Sequence, residues 1–147
     1  MAGSAGAPAA EVATAERVGR ALAERGAVVV CGGLGGVMEG ACRGAKGAGG
    51  ATLGILPGLD RSDANEFVDL ALPTGMGEAR NALVVRACDA LIAVGGEWGT
   101  LSEIALALRA GKRVVGLGTW ELPRDGIVGA SSPDEAVALA LAVNSEQ

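Results

Sequence analysis

Histidine and tyrosine are absent from this chain, phenylalanine occurs once and tryptophan twice. The lack of histidine removes the commonest general base and the commonest metal ligand together. Proton chemistry then falls to carboxylates, lysine, cysteine or water, and no metal site is expected. Cysteine occurs three times, an odd number without CxxC spacing. Cys31, Cys42 and Cys88 therefore read as reduced, buried thiols of a cytoplasmic protein. No basic run exists, and 17 acids against 12 bases leave a net charge of −5. General nucleic-acid binding needs clustered cations and is not expected. No apolar run approaches the roughly 20 residues of a membrane span, so no membrane association is expected. The first ten residues lack a basic start and an apolar centre, and are not expected to form a secretory signal.

What remains is aliphatic. Half of the 147 residues are hydrophobic, mostly Ala, Val and Leu, beside 25 glycines. That length suits one domain over 1–147, and that composition suits helices packed closely on a buried parallel sheet.

The periodicity predicts a helix over 11–25, closed by Gly26, and a buried strand over 27–31 that runs into GGLGG. A helix over 37–48 follows, closed by Gly49 and Gly50, then a strand over 51–56 that stops at Pro57. Residues 57–66 read as a loop and 67–72 as a short strand. Further elements are a helix over 78–88, a strand over 90–94, a helix over 101–110 ended by Gly111, and a strand over 113–117. Ser132, Pro133 and Glu135 start a final helix that runs to about residue 143. Repeated strand–helix–strand units imply an α/β, Rossmann-like, three-layer doubly wound parallel sheet. Its first strand is missing or much degraded, because the chain opens on an Ala/Gly/Pro stretch and a helix. Either the start is truncated or the sheet is completed in another way.

Two glycine loops stand where a strand ends and a helix begins, at the edge where open α/β folds hold ligands. The first comprises Gly32, Gly33, Leu34, Gly35 and Gly36 and feeds Val37 and Met38. The second comprises Gly95, Gly96, Glu97, Trp98, Gly99 and Thr100. Gly32, Gly33 and Gly36 match Gly95, Gly96 and Gly99 at a constant offset of 63, through an old duplication or one solution used twice. Unpaired amides at a helix head attract anions, and glycine lets the backbone approach them. Neither loop has the GxGxxG or GxxxxGK[ST] pattern. A plain strand-to-helix turn explains either loop alone; two bare helix heads on one edge favour a phosphate or oxyanion site.

Thr100 and Glu103 fit a capping box, and Glu103 also fits a carboxylate at the mouth of the cleft. Arg80 sits at a helix start, against the helix dipole, which hints at a ligand phosphate or a carboxylate partner; a solvated surface arginine is the plain alternative. Glu39 falls in a first turn, where acids are favoured anyway. Trp98 fits either a stacking face for a flat heterocycle or a core or dimer contact.

The segments GGLGGVMEGACRGAKGAGGATLGILPG, GMGEARN and VGGEWGTLSE, in that order, resemble the LOG-like (SLOG) Rossmann superfamily over about residues 11–120. That group contains cytokinin-activating phosphoribohydrolases, once called lysine decarboxylases, and molybdenum-cofactor carrier proteins. The resemblance implies a nucleotide-like ligand over both glycine loops. In the hydrolases, PGGxGTxxE supplies a phosphate loop and a functional glutamate, and an upstream arginine helps. Those positions fall here on Gly99-Thr100, Glu103 and Arg80, the implied catalytic pair. Here Val94 replaces the proline, the second loop has one extra residue, and Asn81 follows Arg80 where the hydrolases have lysine. These departures resemble the carrier branch, where the loops hold a pterin phosphate or an oxyanion without turnover.

The expected function is thus binding of a small phosphate-bearing ligand, a nucleotide or a phosphorylated pterin such as molybdenum cofactor. No further cofactor is required. The alternatives are a phosphoribohydrolase that cleaves a nucleoside 5′-monophosphate to free base and ribose 5-phosphate, and a nucleotide-sensing interaction domain that binds a protein partner. A homodimer or larger assembly is expected, to cover apolar surface left by the missing strand.

Overall fold

The structure is a computed structural model of the 147-residue chain and describes residues 1–122 and 125–142. In chain order its elements are α1 (Ala9–Glu24), β1 (Val29–Cys31), α2 (Val37–Gly47), β2 (Thr52–Leu56) and β3 (Leu70–Pro73). There follow α3 (Asn81–Ala87), β4 (Ala90–Val94), α4 (Trp98–Arg109), β5 (Arg113–Leu117), β6 (Ile127–Gly129) and α5 (Pro133–Leu141). Short 3-10 turns occupy Arg61–Asp63 and Gly77–Arg80. The strands form two parallel three-stranded sheets, in the orders β1-β2-β3 and β4-β5-β6.

Met1 and Ala2 join these halves. The Met1 nitrogen donates to the Val30 carbonyl at 2.8 Å on the β1 side. On the β4 side, Ala2 N donates to Ile92 O at 2.9 Å and Val94 N to Ala2 O at 3.0 Å. The degraded first strand is thus a single parallel bridge, Ala2 to Ala93. Strand by strand across the molecule the order is β3-β2-β1, the Met1–Ala2 bridge, then β4-β5-β6, a doubly wound layout. β4 shows why its sequence is uniformly apolar: Ile92 and Val94 enter the core with α1, α2 and α5, while Leu91 and Ala93 enter a second core under α3 and α4.

The glycine-rich sequence closes the α1–α2 seam. A Cβ on Gly19 would lie 1.9 Å from Ala41 O, and one on Gly44 would lie 1.9 Å from Glu16 O. The two helix backbones therefore touch, which only hydrogen side chains permit.

Some boundaries differ from the sequence reading. Helix α1 starts at Ala9 and β3 starts at Leu70. The expected helix over 78–88 is a 3-10 turn followed by α3. Strand β6 has no expected counterpart; its exposed Val128 leaves no buried run to read. Helix α5 begins as expected, with Ser132 Oγ accepting from Glu135 N at 3.2 Å. The Glu135 carboxylate reaches back to Ser131 rather than Ser132. The helix end expected near 143 lies outside the described residues.

Candidate functional site

The ends of β1, the Met1–Ala2 bridge and β4 open on one edge, where the strand order reverses. Residues 3–8 leave Ala2 along that edge and enter α1. This segment roofs the head of α2: Val37 N donates to Ser4 O at 3.1 Å, and a Cβ on Gly36 would lie 2.2 Å from that same oxygen. Of the amides at the head of α2, the chain's own backbone takes the leading one, while those of Met38 and Glu39 have no backbone acceptor among the described residues.

The head of α4 differs. Its N-cap is Glu97, with no side-chain cap, and its first intrahelical bond runs from Leu101 N to Glu97 O. The amides of Trp98, Gly99 and Thr100 have no backbone acceptor among the described residues. An anion there would meet free N–H groups and the positive end of the helix dipole. The capping-box reading of Thr100 and Glu103 is overturned, because α4 begins at Trp98 and both residues lie inside the helix. Thr100 instead packs against Gly96, whose φ of +117° only glycine adopts readily.

Between the residue 3–6 segment and α4 lies a cleft of about 350 Å³, which Leu34, Met38, Pro57, Glu78, Arg80, Asn81, Glu97, Gly99, Thr100 and Glu103 line with Gly3, Ser4, Ala5 and Gly6. Volumes of this order suit small ligands.

Arg80 ties the two loops together. It is 8% exposed. Its Nη2 donates to Gly32 O at 3.4 Å and its Nη1 to Asn81 Oδ1. Asn81 Nδ2 donates to Ser102 Oγ at 3.0 Å, and Ser102 Oγ to Gly99 O at 2.7 Å. The chain runs from the first glycine loop through Arg80 to the head of α4. Arg80 Nε is buried without a partner among the described residues. Burial lowers the Arg80 pKa, while the charges of Glu103, Cys31 and Glu78 oppose that shift. Among the described residues no carboxylate lies within ion-pairing distance of Arg80; the ion pairs there are Arg43–Glu16 and Lys46–Asp69.

Glu103 is 6% exposed. Burial raises its pKa to about 7, against the pull of the Met1 ammonium and Arg80. No hydrogen bond contributes to that value. The unfolded chain ionises this group near 4.5, so the folded state holds its proton over the interval up to 7. Stability from this residue is complete below pH 4.5 and lost as pH rises through 7, on the order of 3 kcal/mol in all. Denaturant melts of Glu103→Gln are expected to lack that decline. An unchanged decline in the variant would assign it to other groups.

The remaining candidates stand behind the cleft. A Cβ on Gly32 would strike the Arg80 guanidinium, and Gly33, at φ +77°, backs onto Gly54 and Leu56. Gly35 lies 3.7 Å below Ala5 O by the same measure, and Val37 is buried. Gly95 faces the Glu11 carboxylate. Trp98 is 76% exposed and leans on Trp120 with ring centroids 5.2 Å apart, beside the cleft rather than lining it. Glu39 lies in the first turn of α2 and is absent from the lining. The two loops are not conformational copies: Gly36 has φ +61°, whereas φ at Gly99 is not positive.

The three cysteines are free and buried, Cys31 and Cys42 in the core beneath the first loop and Cys88 in the second core at the end of α3. Cys31 Sγ lies 3.6 Å from Cys42 Sγ and accepts from Gly33 N at 3.3 Å. The contact with Cys42 lowers the Cys31 pKa to about 7 and raises that of Cys42.

Residues 3–6, with Pro57 and Glu78, are the parts of the cleft lining that sequence reading missed. The signal was present: GSAG between Met1-Ala2 and α1 is a third glycine loop feeding a helix. Without a recognisable strand before it, the pattern reads only as an Ala/Gly/Pro stretch ahead of a helix.

The sequence profile described as SLOG cluster4 family matches residues 1–145. An uncharacterised protein of Archaeoglobus fulgidus is 48% identical over 123 residues, 84% of this chain and 80% of that protein. The molybdenum cofactor binding protein of Rippkaea orientalis superposes with a TM-score of 0.86 at 38% identity, over 91% of this chain and 88% of that one. The molybdenum cofactor carrier protein of Chlamydomonas reinhardtii superposes with a TM-score of 0.83 at 36% identity, over 93% and 90%. No helix among the described residues is long and apolar enough to cross a membrane.

Proposed function

The chain belongs to the SLOG cluster4 family, and on that premise we propose that it binds a small phosphate-bearing ligand, a nucleotide or a phosphorylated pterin. The phosphate sits between the free amides at the head of α4 and the Arg80 guanidinium. The observation that carries this reading is Arg80, whose side chain helps to line the cleft while its Nε is buried and unpartnered among the described residues. A buried cationic donor left unpaired costs stability unless something uses it. The likeness to proteins named for molybdenum cofactor binding and carriage supports the ligand class. Glu78 and Glu97 at the rim accept hydrogen bonds, which suits the amino or hydroxyl groups of a nucleotide or pterin.

Trp98 and Trp120 adjoin the α4 head and report binding by fluorescence. Titration with inorganic phosphate, and separately with AMP, is expected to give saturable changes that sulfate competes away. If none of these anions gives saturation at millimolar concentration, the reading fails.

A second reading has one observation in its favour: Arg80 and the easily protonated Glu103 line the same cleft. That pair suits cleavage of a nucleoside 5′-monophosphate, with Arg80 on the phosphate and Glu103 at the sugar. Release of adenine and ribose 5-phosphate from AMP, abolished in Glu103→Gln, would establish it; binding of AMP without release would exclude it for that substrate.

A further inference from the structure

We propose that Glu103 takes up one proton as an anion enters the cleft, so that the site is proton-coupled and tightens as the pH falls. The proposal rests on the anion-site reading above. Its basis is the charge inventory of the cleft. Among the described residues one cation, Arg80, lines the wall, against three carboxylates: Glu78, Glu97 and Glu103. If all three carboxylates are ionised, a cleft that already carries excess negative charge must admit a dianion.

The three acids differ in what they can do about it. Glu78 and Glu97 are exposed at the rim, where water screens them. Glu103 is 6% exposed and has no hydrogen-bond donor to hold its charge. Like charges at close range inside a low-dielectric wall are costly, and the acid with the least hydration is the one that neutralises.

The groups facing Glu103 from the surrounding elements decide how far the anion can shift it. Arg80, on the turn before α3, and the Met1 ammonium stabilise its ionised form, and the Cys31 thiol on β1 opposes it when ionised. Asn81 is neutral. An entering anion competes for Arg80 and so withdraws part of the support from the ionised carboxylate, while its own negative charge opposes the pull of the Met1 ammonium. Its ordinary value is already displaced to about 7, so the proton is available at neutral pH.

Sulfate is the appropriate probe, because unlike phosphate it does not titrate near neutrality. Titration calorimetry at pH 6 and pH 8, in two buffers of different ionisation heat, reads affinity and proton uptake together. The expected result is affinity about tenfold tighter at pH 6 than at pH 8, with close to one proton taken up per sulfate at pH 8. In Glu103→Gln the affinity at pH 8 rises to the pH 6 level and the uptake disappears. In Cys31→Ser both are retained, which separates the two groups. Sulfate binding without proton uptake in the native protein overturns the proposal whether or not any variant folds. Retention of the pH slope in a folded Glu103→Gln overturns it too. Failure of sulfate to bind at either pH overturns the anion site itself.

Discussion

Replacing Arg80 with alanine is expected to weaken sulfate and phosphate binding by about a hundredfold while changing stability by no more than about 1 kcal/mol. A hydrogen bond from a charged donor contributes roughly 1.5–3 kcal/mol, and a hundredfold corresponds to about 2.7 kcal/mol. The small effect on the fold has its own reason. Arg80 donates to Gly32 O and Asn81 Oδ1, which favours the native state, but its guanidinium is desolvated and its Nε is unpaired. Removing the side chain gives up both contributions, and they have opposite signs. Arg80→Lys keeps a charge but not the planar fork, so it should recover only part of the affinity, about tenfold below the native protein. Titration calorimetry with a parallel thermal melt measures both quantities. Affinity within twofold of native in Arg80→Ala would remove this residue from the site.

The largest stability effect is expected far from the cleft, at Gly19. Valine there would place its Cβ 1.9 Å from Ala41 O, and a backbone oxygen cannot step aside as a side chain can. The α1 and α2 axes would have to separate, opening the seam on which Ala15, Val18, Ala41 and Ala45 are buried. Overpacking commonly costs 1–3 kcal/mol; with no soft neighbour the cost should exceed about 4 kcal/mol and lower Tm by roughly 15 °C. Gly44→Val should behave alike, its Cβ meeting Glu16 O. Gly47→Ala is the contrast. That glycine is helical, has negative φ and meets only the end of Arg20 at 3.4 Å, so alanine should stabilise by up to about 1 kcal/mol. Similar melting temperatures for Gly19→Val and Gly47→Ala would show that the seam tolerates separation.

These two results bear on what the sequence discloses. The fold class was readable because its signals are local and periodic. Strands β4 and β5 lie at 90–94 and 113–117 as their aliphatic runs indicate, and the glycines that close α1, α2 and α4 carry the positive φ such closures need. What escaped was whatever depends on a distant partner. The first strand could not be read, because two residues make its connections and Val30 and Ile92 are their partners. For the same reason, GSAG did not register as the roof of a cleft. The start of α4 was misplaced because Thr-x-x-Glu satisfies a local capping rule, whereas the burial of Glu103 against the far wall is a tertiary fact. Arg80 was legible by contrast, since a cation at a helix start already conflicts with its local field. The glycine seam was visible only as composition: Gly19, Gly40 and Gly44 look like helix breakers until α1 and α2 are laid together.

The two-residue joint at the centre of the sheet governs the order in which the molecule can be finished. Each three-stranded half gathers neighbours that are close along the chain, but Met1 and Ala2 must reach partners some thirty and ninety positions away. Long closures of this kind are slow relative to local ones. The N-terminal segment is made first and can dock only after β4 exists. The cleft that Gly3 to Gly6 help to wall therefore comes into being only with that closure, and a chain short of it lacks one wall of the proposed site.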